Sequence, residues 1–377
     1  MSEWVETILD KHISVKHGYA FKGQDITKEE TNKILVTPGN FHIGGGFKQD
    51  KFKYFDGSPP EDYVLSKGEL IVTMTDLSKE GDTLGYAAKV PEVTGKIFLH
   101  NQRIGLVEVH SSTADKEFLY WLMRTKDYQL YIVGAASGTS IRHTSPTAIK
   151  SYSFLLPPIP EQKAIAEVLS SLDDKIDLLH RQNETLEALA ETLFRQWFIN
   201  QADAEWEEKL LGDVVKIRYG KNLPTSKLVD EGYTVFGGNG QIGCHKEYLY
   251  EKPQVLVACR GAASGKVNIS KPFSFVTNNS LVLELLDKNG ITFEWLKYFA
   301  FQTQFEEYTS GSAQPQITID GLKTAPVTIP DEESLAKFTE IVKPIEIKIL
   351  NNMSNIETLE QLRDTLLPKL ISGEVRV

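Results

Sequence analysis

The sequence predicts an α+β protein: two globular α/β blocks in pseudo-twofold repeat, separated by two long helices that pair as an antiparallel coiled coil. Three observations predict this. From Pro157 to Phe198, apolar residues recur every seventh position as Ile165, Leu172, Leu179, Leu186 and Leu193, the interval of a coiled-coil seam. The same interval returns near the C-terminus as Phe338, Ile345, Asn352, Leu359 and Leu366. The flanking segments also match, Glu184-Thr185-Leu186-Glu187-Ala188-Leu189 reappearing as Glu357-Thr358-Leu359-Glu360-Gln361-Leu362. Ser137-Gly138-Thr139 and Ile149-Lys150 likewise face Ser310-Gly311-Ser312 and Leu322-Lys323, and Trp4, Leu9, Lys16 and Gly18 are spaced like Trp206, Leu211, Arg218 and Gly220. The chain therefore reads as block plus helix, twice, with blocks at 1–156 and 201–330 and helical regions at 157–200 and 331–377.

In the first block, β-like runs at Ile34 to Thr37, Leu70 to Met74 and Ile104 to Val109 are broken by the turn formers Pro38-Gly39, Gly44-Gly45-Gly46 and Asp56-Gly57. A helix is predicted from Asp115 to about Tyr131. After Pro160 the first long helix carries Glu161 in its first turn, where a carboxylate suits the dipole. Asp173 and Asp174 are good N-caps and Pro344 stands near the matching place of the twin, so a short helix followed by a long one is expected. From Asp173 to Phe198 the long helix would measure roughly 39 Å at about 1.5 Å per residue.

A second inward row follows the first by four residues: Leu169, Ile176, Asn183 and Ala190, against Val342, Ile349, Ile356 and Arg363. Each helix thus places one Asn, Asn183 or Asn352, among its inward positions, which fixes register at a cost in stability. In the second block, Thr234 to Phe236, Val255 to Ala258 and Leu281 to Leu285 read as strands and Phe293 to Tyr308 as the late helix.

The chain's 377 residues and 41% apolar content suit a multidomain protein with ordinary cores. There is no long apolar run and no N-terminal signal pattern, and two cysteines, Cys244 and Cys259, cannot build a disulfide framework. A reducing cytoplasm is the expected setting. The net charge of −10 argues at face value against nucleic acid, but the acidity is mostly helical. Residues 151–200 hold 4 basic and 8 acidic side chains, and 331–377 hold 6 and 9. Residues 214–271 hold 9 basic and 4 acidic, and 11–60 hold 8 and 5, so a basic face on each block is compatible with the total.

The motifs that carry catalysis are missing. Gly261 to Lys266 is one residue short of a phosphate-binding P-loop and is followed by Val267 where a hydroxyl is needed. Ser58-Pro59-Pro60-Glu61 has the wrong first and last residues for an amino-methyltransferase motif, and no zinc-type spacing or Gly-Xaa-Ser-Xaa-Gly elbow occurs. Cys244 and His245, with Cys259, form only a weak metal candidate. What remains are loop residues suited to DNA, where Lys and Arg meet phosphates and Arg, Asn and Gln pair with base edges. In the first block these are Lys22, Asn40, Lys48, Asn101, Arg103, Arg142 and His143. In the second they are Lys221, Asn239, Arg260, Lys266, Asn278, Asn279, Gln314 and Gln316. Like scaffolds with unlike loops suggest two sites of different specificity.

The stretch Leu156-Pro157-Pro158-Ile159-Pro160-Glu161-Gln162-Lys163-Ala164-Ile165-Ala166 resembles the central conserved region of specificity subunits of type I restriction-modification systems. Gly237 to Gly243, Arg260 to Gly265 and the ending Leu366 to Glu374 are similar to the same family, and the likeness covers the full length. One departure is Ile329-Pro330-Asp331-Glu332, which lacks the Pro-Pro-Ile-Pro-Glu-Gln form. The resemblance implies that each block is a target recognition domain reading half of a bipartite DNA site. It implies that the helix pair sets the gap and docks two methyltransferase subunits, which use S-adenosylmethionine, with restriction subunits using ATP and Mg. It further implies that this chain catalyses nothing, in agreement with the missing motifs; no cofactor or metal in this chain and no membrane are expected. Half-sites about one helical turn apart, roughly 34 Å, match helices of about 39 Å. The competing readings are a DNA-modifying enzyme with an unrecognised site and a non-catalytic coiled-coil scaffold with repeated ligand-binding domains.

Overall fold

The structure, a computed structural model, describes residues 4–78, 80–138, 141–286, 290–311 and 315–377. It divides into two compact units, Met1–Leu178 with Asn355–Val377, and Leu179–Ser354. The division falls inside both long helices, Ile159–Arg195, extended by a wide π turn at Gln196–Asn200, and Glu332–Ser372. Among the described residues, no helix is long and apolar enough to cross a membrane.

In the first unit, Val5–Ile8 pairs antiparallel with Ser153–Leu156 and so brings the two ends of the block together. Between them lies a four-stranded sheet in the order Ile13–His17, Ile104–Val109, Leu70–Thr73, Ala87–Lys89. A second sheet contains Lys33–Val36 paired in parallel with Ile97–His100. The predicted helix at 115–131 is two helices, Lys116–Leu122 and Lys126–Gly134. The break has a local cause, because the Thr125 hydroxyl accepts from Tyr128 N at 3.3 Å and caps a new helix.

The second unit repeats this plan. Glu207–Leu210 pairs with Pro326–Ile329, and the four-stranded sheet runs Val215–Tyr219, Ser280–Leu285, Val255–Ala258, Val267–Ile269. Tyr233–Gly237 pairs in parallel with Phe275–Val276, as Lys33–Val36 does with Ile97–His100. Helix Phe293–Gln302 ends before the predicted boundary and is followed by a 3-10 turn, Phe305–Tyr308. The matched glycines serve one purpose. A Cβ on Gly18 would lie 2.1 Å from Asn101 O, and one on Gly220 would lie 2.3 Å from Thr277 O, so each admits the close backbone approach beside the parallel strand pair. The matched tryptophans agree too: Trp4 Nε1 donates to Glu161 at 3.0 Å and Trp206 Nε1 to Asp331 at 3.1 Å, each carboxylate standing at the start of a long helix.

The helices do not break near Asp173. Ile159–Arg195 passes through Asp173 and Asp174, and Glu332–Ser372 passes through Pro344, without interruption. Asp173 is not a cap, because its carboxylate is held by Arg124 from the block and by Arg363 of the second helix, the latter at 2.7 Å. Burial alone would raise its pKa, but the two guanidiniums outweigh that and hold it below the usual carboxylate range.

Within each unit the helix halves run antiparallel. In the first, Arg376 meets Glu161 at 2.8 Å and Arg363 meets Asp173. In the second, Asn352 Nδ2 donates to Asn183 Oδ1 at 2.8 Å, and the rings of Phe194 and Phe338 lie 5.8 Å apart. Ile165, Leu169, Ile176, Leu179 and Asn183 are buried, as are Phe338, Val342, Ile349, Asn352 and Ile356. Leu172, Leu186, Leu193, Ile345, Leu359 and Leu366 of the same seven-residue rows are half-buried.

Both cores draw on both helices. The first unit's cluster joins Leu9, Phe118 and Trp121 to Leu169, Leu367, Leu370 and Ile371. The second unit's joins Val214, Trp295 and Leu322 to Ala190, Phe194, Phe338 and Val342. Leu370→Ala is therefore expected to destabilise the N-terminal block, far away in sequence, by about 2–4 kcal/mol in urea denaturation. Asp173→Asn is expected to cost about 1–3 kcal/mol at neutral pH. Since the folded carboxyl titrates below its unfolded value, that loss shrinks as pH falls through the acidic range, where the wild type surrenders the same stability. A melting difference independent of pH between 7 and 3 would contradict it.

Candidate nucleic-acid interface

In the second unit, the turn after Tyr233–Gly237 exposes Asn239, and Ser280 Oγ donates to Gly237 O at 3.2 Å to hold the strand end. The loop from Arg260 to Lys266 is closed by its backbone, Gly265 N donating to Ala258 O at 2.9 Å and Ala258 N to Lys266 O at 2.8 Å. Gly261 and Gly265 have positive φ, which lets this reversal form in so few residues. Together the loops line an open concavity of about 700 Å³ that includes Asn239, Arg260, Lys266, Asn279, Ser264 and Glu306. Lys266 Nζ donates to Asn239 Oδ1 at 2.7 Å, so the amide oxygen is engaged within the concavity.

The structure thus brings together Asn239, Arg260, Lys266 and Asn279 from the predicted set, and Gln316 joins them by pairing its backbone with Arg260. Lys221 and Asn278 share the neighbouring turn, Asn278 N donating to Lys221 O at 3.1 Å. Gln314 lies outside the described residues. Among the described residues, neither Arg260 nor Lys266 is ion-paired, so both cations remain available to a phosphate or a base edge.

In the first unit the corresponding turn, Asn101-Gln102-Arg103, joins Ile97–His100 to Ile104–Val109 and is pinned by Arg103 N donating to Asn101 Oδ1 at 2.9 Å. It borders a concavity of about 310 Å³ shared with Thr37, Gly39, Lys53 and Leu77. Lys22 is exposed, and Lys48 is ion-paired with Asp50 at 3.4 Å. Arg142–His143 pairs with Thr75–Asp76, and His143 Nδ1 shares a 3.0 Å hydrogen bond with Thr75 Oγ1. Burial would raise the Asp76 pKa, but hydrogen bonds from Thr83 and Ser78 dominate and keep it low.

Asn40 requires a correction. It is fully buried, its Oδ1 accepts from Thr37 N at 2.9 Å, and its Nδ2 donates to Lys51 O at 3.0 Å, so it pins a loop and has nothing left for a base. Lys53, Gln102 and Glu306 also line these concavities and were not among the residues singled out from the sequence. Gln102 stands between two chosen residues and could have been found. Lys53 on its strand and Glu306 in its helical turn carry no local signal. Among the described residues, no cluster of three or more His, Cys, Asp or Glu groups could hold a metal ion, and Cys259 is buried, which pushes its thiol pKa up.

Two like scaffolds that present unlike sets of Arg, Lys, Asn and Gln around shallow open concavities define a two-module recognition protein of the nucleic-acid-reading class. The chain belongs to the family described as type I restriction modification DNA specificity domain, whose model matches residues 2–188 and 203–365, each match comprising one block and most of the helix that follows. It is similar to the type I restriction enzyme MjaIX specificity subunit of Methanocaldococcus jannaschii, 29% identical over 302 residues that cover 69% of each chain. It is also similar to the EcoBI specificity subunit of Escherichia coli, 22% identical over 99% of this chain and 86% of that one. The crystal structure of a type I restriction-modification S subunit from M. genitalium shares the fold, with a TM-score of 0.62 at 21% identity over 98% of this chain and 96% of that one.

The two cations of the second unit make separable predictions. Lys266→Ala is expected to lower the slope of log affinity against log salt by about 0.9, the loss of one phosphate contact. Arg260→Ala is expected to cost about 1–3 kcal/mol of discrimination at one base pair. Both are measured by fluorescence-anisotropy titration of the chain in its assembled complex across a salt series, and equal, sequence-independent losses would contradict the division of labour.

Proposed function

We propose that this chain is the DNA-reading subunit of a type I restriction-modification complex, each unit recognising one half of a bipartite site in double-stranded DNA. The observation that carries this reading is the recurrence of one loop arrangement with different side chains. The turn Asn101-Gln102-Arg103 in one unit stands where Asn278-Asn279 stands in the other, each beside a glycine that lets the backbones meet. Likewise His143 pairs with Ser137 as Gln316 pairs with Ser310. A conserved position in the scaffold with a changed side chain is the means by which one fold reads two sequences.

The paired helices act as the ruler between half-sites, and their acidic exposed faces dock two methyltransferase subunits that bind S-adenosylmethionine. Restriction subunits that use ATP and Mg complete the assembly in the cytoplasm. The chain itself performs no catalysis and holds no cofactor. With a net charge of −10 it binds DNA weakly alone, and its partners supply much of the phosphate contact.

Mapping methylated adenines in a host genome with and without the gene tests the reading, which expects one bipartite motif to disappear with the gene. Inserting seven residues after both Leu178 and Ser354 lengthens each helix by about 10 Å and is expected to widen the gap by about three base pairs. An unchanged gap would sink the ruler.

A further inference from the structure

We propose that Glu306 is a base-reading residue that demands cytosine at one position of the half-site met by the second unit, an inference that rests on the DNA-reading function above. Among the described residues that line the concavity of Arg260 and Lys266, Glu306 is the single carboxylate. A carboxylate beside phosphates is repelled, so this location is unfavourable for general DNA affinity and makes sense where an amino group is to be met.

Its position is built. The preceding residue, Phe305, is fully buried and anchors the 3-10 turn Phe305–Tyr308. The Glu306 side chain rests against Gly265, where a Cβ would come within 2.6 Å of Glu306 N and 2.7 Å of its Cδ. Gly265 has φ +93, so its glycine serves both the loop that carries Lys266 and the seat of the carboxylate. The carboxylate is not consumed internally: Lys266 Nζ donates to Asn239 at 2.7 Å, and among the described residues Glu306 has no ion pair.

The chemistry selects the base. A carboxylate only accepts, and the major groove offers two exocyclic amines, cytosine N4 and adenine N6. Adenine N6 stands between two acceptors, its own N7 and the O4 of the paired thymine, which repel a carboxylate, whereas cytosine N4 is flanked by the guanine O6 on one side only and by its own C5–H edge on the other. Arg260, on the same concavity, is suited to guanine O6 and N7, so the pair favours a site rich in G·C at that point.

The test expresses wild type, Glu306→Gln and Glu306→Ala with the cognate methyltransferase subunits in a host free of adenine methylation, followed by genome-wide methylation mapping and a melting curve of each complex. The wild type is expected to show an invariant cytosine in one half-site. Glu306→Ala should relax that position by about 10-fold, and Glu306→Gln should move it toward adenine, which a carboxamide can pair through N6 and N7. The other half-site and the gap should stay as they are. An unaltered motif in both variants overturns the assignment, as does uniform loss of methylation at every site with unchanged melting, which would mark Glu306 as a general contact. Absence of any bipartite motif in the wild type overturns the DNA-reading function itself, and the assignment with it.

Discussion

In the first unit, Leu367, Leu370 and Ile371 of the second long helix share one buried cluster with Leu9, Phe118 and Trp121, and the first long helix adds Ile165 and Leu169. Each such side chain contributes about 1.5–3 kcal/mol when removed from water, which is large against the net stability of a domain. The N-terminal block therefore depends on residues more than two hundred positions away. In the second unit the same dependence is met by Ala190, Phe194, Phe338 and Val342. Both blocks are completed by halves of both helices, and everything else in the molecule follows from that.

Polar groups give this apolar packing a single register. Asn183 and Asn352 are buried opposite each other, Asn352 fully so, and sliding either helix would strand both amides among leucines and isoleucines. Ion pairs then tie the blocks to their helices. Arg124 reaches Asp173 while its Nε donates to Gly44 O at 2.9 Å, and Lys297 meets Glu346 at 2.6 Å with side chains only 11% and 16% exposed. Exposed pairs such as Lys67 with Glu92 contribute little by comparison. Held in this way, the loops rest on rigid supports, which base recognition requires.

The loops were only partly legible. Asn239, Arg260, Lys266 and Asn279 do meet around one open concavity, because glycine-rich polar stretches between strands mark exposed turns. Asn40 looked the same and is buried, since an Asn after Pro-Gly satisfies its own loop as readily as it faces a ligand. Asp173 misled for a related reason. An Asp that could cap a helix and an Asp that anchors two arginines are the same letter, and Arg124 and Arg363 are 49 and 190 residues away.

The sequence by itself determined the repeat, the seam, the acidic helices and the polar loops, because these are periodicities and compositions that local chemistry imposes. Even the matched pairs Trp4 with Trp206 and Gly18 with Gly220 were present in the letters, without their reasons. Tertiary structure decided what those letters do. It made Gly18 and Gly220 points of backbone contact, ran both helices unbroken through Asp173 and Pro344, and seated Glu306 on Gly265. The physical reason is common to all three: each depends on an atom supplied by a distant segment, and contact across such separations leaves no period in the chain.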